Sequence, residues 1–177
     1  MAYTSKKIIL NSDGSAWRPN VHILDVCKAI QYAVEFESSS SKPIILNVGD
    51  DTNNIRVIDI AEIITKSVPG SNIELLEKDK LLMPSENYEL IRDRKVQGGV
   101  DSRTYKVSFE KIKKTFAGYE CEWTINEGVS DMINKFEAIS INNDQFKSID
   151  FYRLQKYEYM FKNGLITNEM YWKQNFK

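Results

Sequence analysis

The sequence predicts an α/β fold with too few strands to close a sheet of its own. Short apolar runs bounded by turn residues alternate with longer runs of helical period. Their order is strand, helix, strand, helix, strand, then helices only, as in a layered α/β or α+β chain. The length of 177 residues suits one domain, or one large and one small lobe, and can bury a core without disulfide or metal staples.

Residues 7–11 read as a strand. Asp13 and Gly14 supply turn chemistry, and 17–23 read as a returning extended segment. Pro19 makes that second segment an edge or an irregular stretch. A helix is expected from about Asp25, with Asp25 as its cap or first-turn acid. Val26, Ala29, Ile30 and Ala33 share one face of it. The serines at 38–41 form a loop, and 44–48 read as a buried strand ending at Gly49. A second helix near Val57 faces inward with Ile60, Ala61, Ile64 and Val68, and Pro69 and Gly70 stop it. Residues 73–76 suggest another strand, and 78–100 form a long, charged, unpatterned loop.

Beyond it, 105–107 read as extended. A short helix follows with Phe109, Ile112 and Phe116 on one side and Gly118 past its end. Thr124 and Glu127 make a capping box for a helix whose face is Val129, Met132, Ile133 and Phe136. From about Gln145 a helical hairpin is expected. Leu154, Tyr157 and Phe161 lie on one face, Asn163 and Gly164 form a C-cap, and a short final helix starts at Thr167.

Composition excludes several classes of function. A net charge of −1 offers no field for nucleic acid or an anionic membrane, so an anion must be held by a few placed residues. No apolar run approaches a bilayer span, and 8–10 run straight into a polar turn, so neither a membrane segment nor a signal peptide is expected and the location reads as cytoplasmic. One histidine and two cysteines cannot build a four-ligand zinc site, and no Asp/Glu cluster has loop-ligand spacing, so no metal is expected. Cys27 and Cys121 are read as buried thiols rather than a disulfide.

Four motifs then fall in order. Gly14, Arg18, His22, Asp25 and Val26 stand in the pattern Gly-x-x-x-Arg-x-x-x-His-x-x-Asp-Val. Asn47, Val48 and Gly49 end a strand as Asn-x-Gly. Asp101, Arg103, Tyr105 and Val107 precede Phe109, Lys111 and Ile112. Trp123, Thr124, Glu127, Gly128 and Val129 complete the series. Together these resemble the substrate-side half of extended short-chain dehydrogenase/reductases, the NAD-dependent sugar-nucleotide epimerases and dehydratases, over residues 7 to about 140. The resemblance divides the chain into a substrate-binding half, 1–140, and a C-terminal helical extension, 141–177.

In that family an N-terminal Rossmann half carries a Gly-rich phosphate loop and a Tyr-x-x-x-Lys pair, and the later half grips the nucleotide-sugar. The eight glycines here never take dinucleotide-loop spacing. Tyr3 with Lys7 and Tyr152 with Lys156 fit Tyr-x-x-x-Lys, but neither lies where the family's catalytic helix falls. No catalytic residue is therefore expected in this chain, and NAD or NADP belongs to the parent family without binding this chain alone.

What the resemblance implies is a site for a nucleoside-diphosphate sugar. Arg18 matches the family's diphosphate-binding arginine. Arg103 stands in for an arginine that some relatives carry slightly earlier, where this chain has Gly98, with Asp101 on the same strand face to orient it. Tyr105 matches a position that touches base or ribose. Arg56 opens a helix where its charge opposes the dipole, a place suited to an anion. His22 reads as structural. The expected function is the substrate-binding part of an NAD(P)-dependent epimerase or dehydratase. The alternative is a non-catalytic lobe or split-complex partner docking to a separate Rossmann subunit, with a homodimer as a further possible assembly.

Overall fold

A computed structural model describes residues 1–75 and 103–173. Two small ribbons replace the expected hairpin. The first pairs β1 (Lys7–Leu10) parallel with β4 (Asn72–Leu75). The second pairs β2 (Trp17–Pro19) antiparallel with β3 (Asn54–Arg56). The turn after β1 is built by Asp13, whose carboxylate accepts from Ser15 N–H at 2.9 Å, and by Gly14 at φ 74°. Instead of folding β2 back on β1, this turn leans on the next helix, α3 (Val57–Ser67). Gly14 O accepts from Ile58 N–H at 2.9 Å, and a Cβ on Gly14 would lie 2.8 Å from Ile58 Cβ. Only glycine fits both the left-handed backbone and that approach.

Around the ribbons lie α1 (Ala2–Ser5), α2 (Ile23–Glu35), α4 (Glu110–Thr115), α5 (Ile125–Ala138), α6 (Asn143–Phe146) and α7 (Arg153–Lys162). Among the described residues this makes seven α-helices rather than about five, because α1 and α6 are single turns too short to show a period. The core is centred on Ala29, Phe109, Ile112, Phe116 and Tyr119, so the predicted face of α4 is the buried one. The capping box is present: Glu127 N–H donates to Thr124 Oγ1 and Thr124 N–H to Glu127 Oε2. The apolar face of α5 does not reach this core. It lines a groove of about 410 Å³ facing Ile60 and Ile64 of α3, with Tyr3 packed on Phe136 at 5.7 Å between ring centroids.

Several expectations are corrected. The cap of α2 is His22, whose Nδ1 accepts from Leu24 N–H at 3.3 Å, and Asp25 takes the other place expected for it, in the first turn. Its side chain turns inward. It is 1% exposed and accepts from Glu122 N–H (2.9 Å) and Trp123 N–H (3.3 Å), tying α2 to the chain entering α5. Residues 44–48 form no strand among the described residues; Lys111 Nζ donates to Ile45 O at 2.8 Å. Ile45 is 79% exposed, with Ile30 (59%) and Val34 (81%) of α2 also bare. Cys27 is exposed and Cys121 half-buried, both as free thiols. On α7 the buried positions are Glu158 and Met160, and the stretch from Thr167 makes a turn and an Ile166–Trp172 bridge rather than a helix. Leu76, the loop 78–100 and Asp101 lie outside the described residues.

Candidate functional site

Three of the four residues singled out by sequence meet on the β2–β3 ribbon. Antiparallel pairing sets Trp17 opposite Arg56, Arg18 opposite Ile55 and Pro19 opposite Asn54. Along the outer edge of β2 runs the segment 103–107. Trp17 N–H donates to Thr104 Oγ1 at 3.0 Å, and Tyr105 N–H donates to Trp17 O at 3.4 Å. Successive side chains on an extended chain point to opposite faces, and directly opposed ones share a face. Arg18 therefore lies on one face of the ribbon, and Trp17 and Arg56 on the other.

The ring contacts agree with this alternation. The Arg18 guanidinium sits 5.2 Å from the centroid of the Tyr105 ring, within cation–π range. Lys106 Nζ sits 3.6 Å from the Trp17 ring on the opposite face. Arg103, two residues before Tyr105, meets Arg18 through its backbone carbonyl. Arg18 Nη1 donates to Trp17 O at 2.8 Å and also to Arg103 O, which fixes the plane of the guanidinium over the tyrosine. Tyr105 is 47% exposed and not part of the core, so its ring is a platform rather than filling.

Arg56 is not brought to this face. Its Nε and Nη2 grip the Asp59 carboxylate at 2.7 and 2.6 Å, one turn into α3. The anion that reconciles Arg56 with the helix dipole is the protein's own Asp59, and the Arg56 guanidinium holds that carboxyl below its ordinary range.

His22 has both ring nitrogens engaged. Because Nδ1 accepts from Leu24 N–H, neutral His22 carries its proton on Nε2, which faces Asp131 Oδ2 at 3.2 Å. The ring stacks on Trp123 at 4.0 Å. Asp131 is held below the usual carboxylate range first by Lys135 and then by His22. This geometry orients α2 against α5.

Behind the site, Asp50 caps the turn leading into β3. Lys113 on α4 donates to it at 2.6 Å, and Thr52 N–H and Oγ1 donate at 2.9 and 2.7 Å. The Lys113 hydrogen bond, then the Thr52 bonds, bring its pKa down to about 2. Burial pushes the Cys121 thiol and the Tyr119 phenol upward, and Tyr119 donates to Asp25 O at 3.2 Å.

The first of the two matches to Tyr-x-x-x-Lys is split by the fold. Tyr3 belongs to α1 while Lys7 is in β1, paired with Glu74; Tyr152 and Lys156 stay one turn apart at the start of α7, where Lys156 N–H donates to Tyr152 O at 3.0 Å and Lys156 Nζ lies 3.7 Å from Asp150. Nor do the described residues suit a dinucleotide diphosphate. Such a turn needs glycines between a strand and a helix N-terminus. Here the chain passes from Arg56 of β3 directly into Val57 of α3, and Gly14 joins β1 to a second strand. No chemical step is therefore routed through NAD.

No protein-family model and no curated protein matches this sequence. A solved structure does share its fold: MoeE5 in complex with UDP-glucuronic acid and NAD, at 15% sequence identity and a TM-score of 0.52. The match covers 76% of this chain and 38% of that one, so the chain spans well under half of its neighbour's length. The few short strands and their helices are thus an α/β arrangement corresponding to part of the fold of MoeE5. Among the described residues no helix is long and apolar enough to cross a membrane.

Proposed function

We propose that this chain is the substrate-holding part of an NAD(P)-dependent epimerase or dehydratase acting on a nucleoside-diphosphate sugar. The observation that carries this reading is Arg18 lying over the exposed Tyr105 ring while it donates to the backbone carbonyl of Arg103, which brings the three residues together at the β2 edge. Two guanidinium groups in a chain of net charge −1 suit a diphosphate, which needs paired, charge-assisted donors rather than a diffuse field. The exposed Tyr105 ring beside them suits the ribose or base. The fold shared with a protein bound to a UDP-sugar and NAD supports the same ligand class. The redox chemistry belongs to groups outside the described residues, and this part orients the substrate.

The test is an NMR titration of the full chain with UDP-glucuronic acid, following the arginine Nε–H signals and the Tyr105 ring. Weak, millimolar-range binding moving Arg18, Arg103 and Tyr105 is expected. Arg18→Met should abolish it, and Arg56→Ala should leave it unchanged. No shift at Arg18 or Arg103, or hydride transfer by the chain alone with NAD⁺, would overturn the reading.

A second reading is a lobe that docks to a separate Rossmann subunit without holding the sugar. It is favoured by the bare Ile30, Val34 and Ile45, which leave apolar side chains exposed on α2 and on 44–48. The same titration separates the two, because a docking lobe leaves the Arg18 and Arg103 signals still.

A further inference from the structure

Peptide groups along a strand point alternately to its two edges. On β2, Ala16 O, Arg18 and Asn20 N face β3, as the bonds from Val57 N–H to Ala16 O and from Asn20 N–H to Asn53 O show. Trp17 and Pro19 face the segment 103–107. Trp17 uses both its N–H and its C=O there. The next rung would need the N–H of residue 19, and proline has none. At that level Val107 is instead met by a side chain from the strand beyond. Asn54 Nδ2 donates to Val107 O at 2.9 Å, and Val107 N–H donates to Asn54 Oδ1 at 2.8 Å. The carboxamide presents a donor and an acceptor side by side, as a peptide group does. A third bond, from Nδ2 to Asp51 O at 3.1 Å, holds the amide in that orientation.

We infer that Asn54 is a positioning residue of the nucleotide-sugar site, holding Val107 by both its N–H and its C=O and so setting where Arg103 and Tyr105 stand against Arg18. Without it, Val107 would lose the partner of both its N–H and its C=O, and 103–107 would be held to β2 chiefly at its first half, by the Trp17 bonds and the Arg18 bond to Arg103 O. Asn54 touches no ligand in this scheme. It acts through Val107, four residues from Arg103. The inference rests on the site proposed above.

The test is a UDP titration of the full chain, wild type against Asn54→Leu, with the Arg18, Arg103 and Tyr105 signals followed together. In the wild type the three should move with one dissociation constant. With two hydrogen bonds removed, Asn54→Leu is expected to weaken UDP about tenfold. It should also uncouple Arg103 and Tyr105 from Arg18, whose own strand is intact. A merely structural role would lower the melting temperature and leave the folded protein's affinity and coupled shifts alone, and that result overturns the inference. If Asn54→Leu does not fold, Asn54→Asp decides by the same readouts. It keeps the acceptor for Val107 N–H but loses the donor, and its added charge alone would weaken all three signals equally without uncoupling them. A wild type whose arginines ignore UDP removes the site itself, and this inference with it.

Discussion

The Asp50–Lys113 pair gives the sharpest stability prediction. Asp50 is pulled from an ordinary value of 3.8 to about 2, chiefly by Lys113 and next by Thr52. A carboxyl depressed in the fold stabilises it above the unfolded value and loses that contribution as the pH falls through the folded one. A depression of that size corresponds to about 2 kcal/mol for the whole set of Asp50 contacts. Thr52 remains when Lys113 is removed, and water screens the lysine, so Lys113→Met should cost about 1 kcal/mol. Lys113 is itself raised above 10.5 by the same hydrogen bond, so its share is full below that value and is lost as the pH rises past it. Urea unfolding across pH should therefore show a wild-type advantage that is flat from about pH 5 to 9. It should shrink as the pH drops from 3.8 toward 2 and shrink again above 10.5. A gap of the same size at every pH would refute the electrostatic reasoning and credit the lysine's aliphatic stem instead.

Gly14→Ala combines left-handed strain with a Cβ 2.8 Å from Ile58 Cβ, and should cost about 2–4 kcal/mol in chemical unfolding. Asp25→Ala strips the buried carboxylate from two part-buried backbone N–H groups. It should cost about 3–5 kcal/mol, with faster hydrogen exchange at Glu122 and Trp123 as the local signature.

Local chemistry was legible from the sequence where a few adjacent residues decide the outcome. The Thr124–Glu127 box, the buried side of α4 and the extent of α3 all follow from spacing alone. His22 was not foreseen as the cap of α2 because histidine is outside the usual set of N-cap side chains, whereas Asp25 belongs to it and was drawn into the interior. Arg56 was read against the helix dipole without its partner Asp59, although a gap of three residues on a helix is within reach. Residues 44–48 have a strand's composition, but pairing is a property of two segments, and no described strand pairs with them. Periodicity likewise marked the Ile30 face of α2 as apolar without being able to say what covers it.

The site and the bare apolar face therefore differ in what completes them. Arg18, Arg103 and Tyr105 are placed by contacts within the described chain: Gly14 against Ile58, Asn54 on Val107, and Asp50 with Lys113. The α2 face leaves Ile30 and Val34 exposed, and 44–48 leave Ile44 and Ile45 exposed. Pro19 links the two observations. A proline at the strand edge gave a readable sign that one rung would be missing, and a donor–acceptor side chain had to be sought nearby. Asn54, opposite Pro19 across the ribbon, was the residue in reach. Where 44–48 lack a rung, no side chain of that kind stands in. Lys111 Nζ meets only one carbonyl, Ile45 O, at 2.8 Å. A single donor cannot satisfy a whole strand edge. The segment 103–107 is thus held to the ribbon by side chains of both its strands, while 44–48 are met at one carbonyl by Lys111.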